Sequence, residues 1–183
     1  MKKMGLVLLT LCFAVTAHAA ERNLHKMYED YDQIKVYLKS VWSESEDPHV
    51  KVNVFRDVCK KVLKERINIK FLPVESADEA DVIVTAKIKK YAFTENALPS
   101  IFGTAALVAD ATAPKSSAML TVEYEVISPK GKMLMKHKDF TTEARLPIKE
   151  MKGERAFEHA VYKNANRFLY RTFHEQEDDN PTD

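Results

Sequence analysis

Residues Ala80–Phe93 read A-D-V-I-V-T-A-K-I-K-K-Y-A-F. Their side chains separate at period two. Val82, Val84, Ala86 and Ile88 share one face, and Ile83, Thr85, Lys87 and Lys89 share the other. Such alternation, rich in β-branched residues, specifies a strand with one face in a core. The second face turns from apolar to basic along its length, and neighbours such as Lys89 and Lys90 are expected to alternate. An acidic lead-in, Glu75-Ser76-Ala77-Asp78-Glu79, precedes the strand, and the least regular segment of the chain follows it.

Upstream, Gln33–Trp42 alternates Ile34, Val36 and Leu38 with Lys35, Tyr37 and Lys39, a half-buried strand. Asp47-Pro48 predicts a helix start, with Asp as the cap and Pro in the first turn. Phe55, Val58, Cys59, Val62 and Leu63 then recur at helical spacing, with Arg56, Lys60, Lys61 and Lys64 toward water. Cys59 lies inside the stripe and reads as a small packed hydrophobe. Ile67–Val74 predicts a second strand that Pro73 ends or confines to an edge.

Downstream, Ser117–Ser128 alternates inward Leu120, Val122, Tyr124 and Val126 with outward Thr121, Glu123 and Glu125. Ser128-Pro129-Lys130-Gly131 is a tight turn, and Lys132–Thr142 returns as the hairpin partner. A last helix is expected from about Glu150, with Phe157, Ala160, Val161, Ala165, Phe168, Leu169 and Phe173 on one face. The order β-α-β-β-β-β-α predicts an α+β fold: a two-layer sandwich of a mixed four- to five-stranded sheet with two helices on one face.

The ends and the middle depart from this pattern. Residues 1–19 carry Lys2 and Lys3, an apolar run from Gly5 to Val15, and Ala17-His18-Ala19, the layout of a secretory signal peptide. The apolar run is short of the ~20 residues that span a bilayer. The expected divisions are a signal peptide at 1–19, an N-terminal arm at 20–32 that is either ordered or a short helix, a single domain at 33–174, and a disordered acidic tail at 175–183. Within the domain, the insertion 96–116 is too apolar for a solvated loop, with Leu98, Ile101, Phe102, Leu107 and Val108. Two readings stand: a short helix folded back on the domain, or a contact with a partner or membrane. The expected location is the periplasm, with association at the outer membrane.

Composition narrows the chemistry. Without Lys2 and Lys3 the formal charge falls from +1 to −1, so no basic excess draws the chain to nucleic acid. Cys59 is then the sole cysteine, and no intrachain disulfide forms. His25, His49, His137, His159 and His174 pair with nothing at metal-ligand spacing, and no nucleophile or nucleotide motif is present. A non-enzymatic protein without cofactor is expected. Lys87, Lys89 and Lys90, with Lys130, Lys132, Lys136 and Lys138 on the final hairpin, have two readings. They either blunt exposed strands or form a basic patch for an anionic ligand, for which Lys87, Lys89, Lys136 and Lys138 are the candidates.

Four pieces resemble the LptE family of outer-membrane lipopolysaccharide-assembly proteins. They are I-K-V-Y-L-K-S-V-W (Ile34–Trp42), E-S-A-D-E-A-D-V-I-V-T-A-K-I-K-K-Y-A-F (Glu75–Phe93), L-T-V-E-Y-E-V with S-P-K-G-K-M-L (Leu120–Leu134), and the closing amphipathic helix. The resemblance implies a partner resembling the LptD β-barrel and binding of an anionic glycolipid. The chain departs from the family in two ways: Leu11 precedes Cys12 where a lipobox has a small residue, and the insertion is long. The strand–helix–strand opening also resembles CsgG- and LpoB-like envelope domains, which implies a scaffold or regulator with a protein partner.

Overall fold

The computed structural model describes residues 24–65, 70–97, 115–147 and 153–174. The signal-peptide and tail expectations and insertion residues 98–114, with Leu98, Ile101, Phe102, Leu107 and Val108, lie outside them, as do Ile67 and Ile69; the ends of the expected insertion, residues 96–97 and 115–116, are instead strand residues that end β3 and open β4 and pair with each other. The elements in chain order are α1 (His25–Tyr28), β1 (Ile34–Ser43), α2 (Val52–Glu65), β2 (Phe71–Val74), β3 (Val82–Ala97), β4 (Lys115–Ile127), β5 (Met133–Pro147) and α3 (Gly153–Phe173). The strands form one mixed sheet in the order β2-β1-β3-β4-β5, parallel across β2-β1-β3 and antiparallel across β3-β4-β5. The quoted stretch is therefore the central strand.

The expected α+β architecture is present, with α2 and α3 packed together on one sheet face. Val82, Val84, Ala86 and Ile88 of β3 and Leu120, Val122, Tyr124 and Val126 of β4 are buried beneath them. Phe157, Val161, Phe168, Leu169 and Phe173 of α3 are likewise buried, each worth roughly 1.5–3 kcal/mol of apolar transfer. Aromatic rings connect the layers. Tyr124 stacks on Phe168 at 4.0 Å between ring centres, and Phe140 meets both rings edge-on. Phe173 continues the chain of rings to Phe71 and Tyr28. Tyr28 belongs to α1, so the segment left open between arm and helix includes a short helix seated on α3, with Leu24 N–H bonded to Thr172 O at 2.9 Å.

Helix α2 starts later than Asp47-Pro48 predicted. Asp47 instead closes a turn, accepting from the His49 N–H at 2.9 Å through its side chain and from the Val50 N–H at 3.0 Å through its carbonyl. The cap chemistry is satisfied before any helical ladder forms. Arg56, expected in water, is half-buried and donates to Leu38 O at 3.1 Å, beside the register shift in β1. Burial in an apolar surround raises the Cys59 thiol pKa and keeps the thiol neutral.

One buried polar residue organises the α3–sheet contact. Asn164 is 0% exposed. Its Oδ1 accepts from Tyr124 Oη at 3.1 Å, and its Nδ2 lies 2.7 Å from Phe140 O, 3.2 Å from Thr142 Oγ1 and 3.3 Å from Leu120 O. The outer strand β5 is also tied to α3 through its backbone. Lys163 Nζ donates to Glu143 O at 2.6 Å, and Arg167 Nη1 to Thr141 O at 3.1 Å.

Candidate functional site

The helices leave the second sheet face without a covering layer among the described residues. Register builds this face row by row. One row crosses all five strands: Val74, Tyr37, Ile83, Ile127 and Met133. All five are apolar or aromatic. Their neighbours shield Ile83 to 6% exposure, whereas Met133 at the outer strand is 44% exposed. A half-buried sheet face normally turns polar residues outward, so a complete apolar row there departs from the expected alternation.

The rows nearer the other end are polar. Thr85 donates to Glu125 at 3.2 Å. The next row runs Trp42, Lys87, Glu123 and Asp139. Lys87 Nζ lies 2.7 Å from Glu44, and Lys89 Nζ lies 3.2 Å from Asp139 and 3.7 Å from Glu123. Asp139, with Glu123 behind it, raises the Lys89 pKa above the usual ammonium value. Glu123 Oε1 also faces His137 Nδ1 at 3.3 Å. Further along, Glu143 accepts from Arg145 through both oxygens at 3.0 Å and from Ser117 at 2.6 Å, which holds its carboxyl below the usual range.

The four candidate lysines do not gather on this face. Lys87 and Lys89 lie on it, already paired with carboxylates. A bulge between Ile88 and Lys90 breaks strict alternation: Lys90 pairs in register with outward Thr121, while Tyr91 pairs with buried Leu120. Lys89 and Lys90 therefore share the outer face, contrary to the alternation expected of neighbours. A second bulge places Lys136 and His137 together opposite Glu125, with Lys136 exposed. Lys138 pairs in register with buried Tyr124, on the helix-covered face, and its Nζ lies 5.8 Å from the Phe140 ring centre.

A smaller polar group lies where α3 begins. His49 Nδ1 is 3.0 Å from Asp47 Oδ1, and the His49 ring presses on Gly153 so closely that a Cβ there would collide with it. Tyr91 sits nearby, its ring 5.2 Å from Phe157 and its pKa pushed up to about 12 by burial and by Asp47. The Tyr91 and Ser116 hydroxyls are buried without a hydrogen-bond partner among the described residues. Among the described residues no group of three or more His, Cys, Asp or Glu is placed to hold a metal, and no helix is long and apolar enough to cross a membrane.

The architecture defines the chain as a two-layer α+β domain. No family model matches the chain, and no curated protein matches its sequence. Similar solved structures include the hypothetical protein CT253 from Chlamydia trachomatis, at 11% identity over 76% of this chain and 98% of that one, with a TM-score of 0.46. PelC from Paraburkholderia phytofirmans, a dodecamer, is 10% identical over 78% and 90% of the two chains, with a TM-score of 0.46. The uncharacterized lipoprotein B from Nitrosomonas europaea is 11% identical over 78% and 85%, with a TM-score of 0.41.

Proposed function

We propose that the protein is a non-enzymatic accessory of the bacterial cell envelope that works by binding a partner on the uncovered face of its sheet. The observation that carries this reading is the apolar row Val74–Tyr37–Ile83–Ile127–Met133 on a face that no helix covers among the described residues. The secretory leader read in residues 1–19 supports an envelope location. The finer reading, from the LptE resemblance, is assistance in lipopolysaccharide assembly through a barrel partner and an anionic glycolipid.

A specific observation favours a second fine reading, that of an envelope scaffold or regulator of the CsgG/LpoB kind with a protein partner. Lys87 and Lys89 are neutralised by Glu44, Asp139 and Glu123, so an anionic lipid has to displace those carboxylates. A polar protein surface does not.

Site-specific photocrosslinking from Tyr37 and Trp42 in intact cells, followed by identification of the adduct, tests the proposal. An envelope protein or lipopolysaccharide is expected, and the two products separate the fine readings. Adducts no more frequent than those from a site on the solvent side of α2, such as Lys61, refute the binding role of this face.

A further inference from the structure

Six large apolar side chains are exposed among the described residues, and five of them lie at one end of the domain. Met27 and Tyr31 flank the end of α1, which Tyr28 fixes to the start of β3 through Asp81 O at 3.3 Å. Leu72 is the second residue of β2, and Met133 opens β5 opposite Ile127. Tyr170 is in the last turn of α3, the end that meets Phe71 through Phe173. Only Trp42 lies elsewhere.

We propose that this end is a membrane-contact surface that seats the protein on an anionic bilayer with the β4–β5 hairpin leading. Three observations select a bilayer as the occupant. First, the exposed side chains are spread across the end rather than clustered. Leu72 and Met133 stand at opposite edges of the sheet, about 19 Å apart at four strand spacings. A fluid interface accommodates scattered Tyr, Met and Leu side chains that a rigid surface would have to match one by one.

Second, charge divides this end. Glu29, Asp30 and Asp32 occupy the α1–β1 connection, whereas the hairpin tip Ser128–Lys132 carries only Lys130 and Lys132. Both lysines are exposed, and neither has an acidic partner among the described residues. They complement phosphate headgroups beside the exposed Met133. Third, the tip is already ordered. Gly131 N–H bonds Ser128 O at 2.9 Å, Ser128 N–H bonds Lys132 O at 2.8 Å, Lys132 N–H bonds Ser128 Oγ at 3.1 Å, and Gly131 takes φ 76°. Docking the tip costs little ordering entropy. Met133 also ends the apolar row of the outer face, so the contact borders the proposed partner site, and Lys130 and Lys132, which lie outside that row, distinguish the two.

The test is flotation of the protein purified from cells with phosphatidylcholine vesicles, alone or containing roughly a third phosphatidylglycerol. Flotation with the anionic vesicles is expected. Lys130→Gln with Lys132→Gln should weaken it about thirty-fold, from about 1 kcal/mol per lysine at such a surface. Met133→Ser with Tyr31→Ser should weaken flotation with both vesicle types. Far-ultraviolet circular dichroism checks that the variants are folded. No flotation by the parent protein, or flotation indifferent to both pairs, overturns the proposal. So does loss seen only with Leu98→Glu and Phe102→Glu, or capture of a protein through these residues without vesicle binding.

Discussion

Removing the amide of Asn164 should reveal how α3 is fixed to the sheet. In Asn164→Ala, the Tyr124 hydroxyl loses its acceptor at a fully buried position, at a cost of about 1–3 kcal/mol. The lost 2.7 Å bond to Phe140 O adds about 1 kcal/mol net, since that carbonyl keeps a lone pair for other partners. The expected total, about 2–4 kcal/mol, is a large part of the stability of a domain this size but leaves it measurable. With a urea dependence of about 2 kcal/mol/M, the midpoint falls by about 1–2 M. Tyr124→Phe alone should cost about 1 kcal/mol, because the ring keeps its stack on Phe168 and only the hydroxyl is lost. The two changes should not add. Once the amide is gone, deleting the hydroxyl relieves an orphaned group, so the double variant should be more stable than the sum of the singles predicts by at least about 1 kcal/mol. Urea titration followed by circular dichroism measures all four proteins. Additivity within about 0.5 kcal/mol would refute the hub.

Two further outcomes follow from other buried groups. Burial pushes Tyr28 and Tyr91 up to about 12 and raises Tyr124 well above its ordinary value. A raised tyrosine pKa means that the folded state holds its proton longer, so this stability is complete below about pH 10 and is lost as pH rises toward 12. Phenolate absorbance should therefore show Tyr28 and Tyr91 ionising only near pH 12 and Tyr124 only together with unfolding, and a single ordinary titration of all seven tyrosines would contradict it. At Gly153, replacement by Ala should bring none of the usual helix gain, because the new methyl displaces the His49 ring from its seat. In a His49→Ala background the same change should stabilise by about 0.5–1 kcal/mol. Equal thermal shifts in both backgrounds would exclude that steric account.

The sheet was legible wherever burial alone sets the pattern. Alternation identified the inward residues of β3 and β4, and helical spacing identified the buried face of α3. The positions of the lysines were not legible, because a bulge arises from two residues opposing one on the neighbouring strand, and no single strand records that count. Lys90 and Lys138 each took a face other than strict alternation implied for this reason. The apolar row was hidden by the same logic. Each strand contributes one residue to it, and Tyr37 or Ile127 alone is an unremarkable member of its own segment. Asn164 escaped notice because a polar residue beside a helical stripe reads as solvated until a tyrosine from another strand is known to reach it. At Asp47, local side-chain bonding satisfied the turn and postponed the helix that the Asp-Pro signal suggested.

The two bonds from Lys163 and Arg167 to the backbone of β5 have a consequence for the order in which the chain is made. An outermost strand of fifteen residues, carrying unclaimed carbonyls, is a template on which another copy can add its own strand. The residues that occupy two of those carbonyls belong to the last helix, so a growing or partly folded chain displays the hairpin before its guard exists. The hazardous interval is the one between completing β5 and docking α3, and it recurs whenever α3 detaches. Proteolytic loss of the helix would then remove part of the core and, with it, the cover on those two carbonyls of the edge strand.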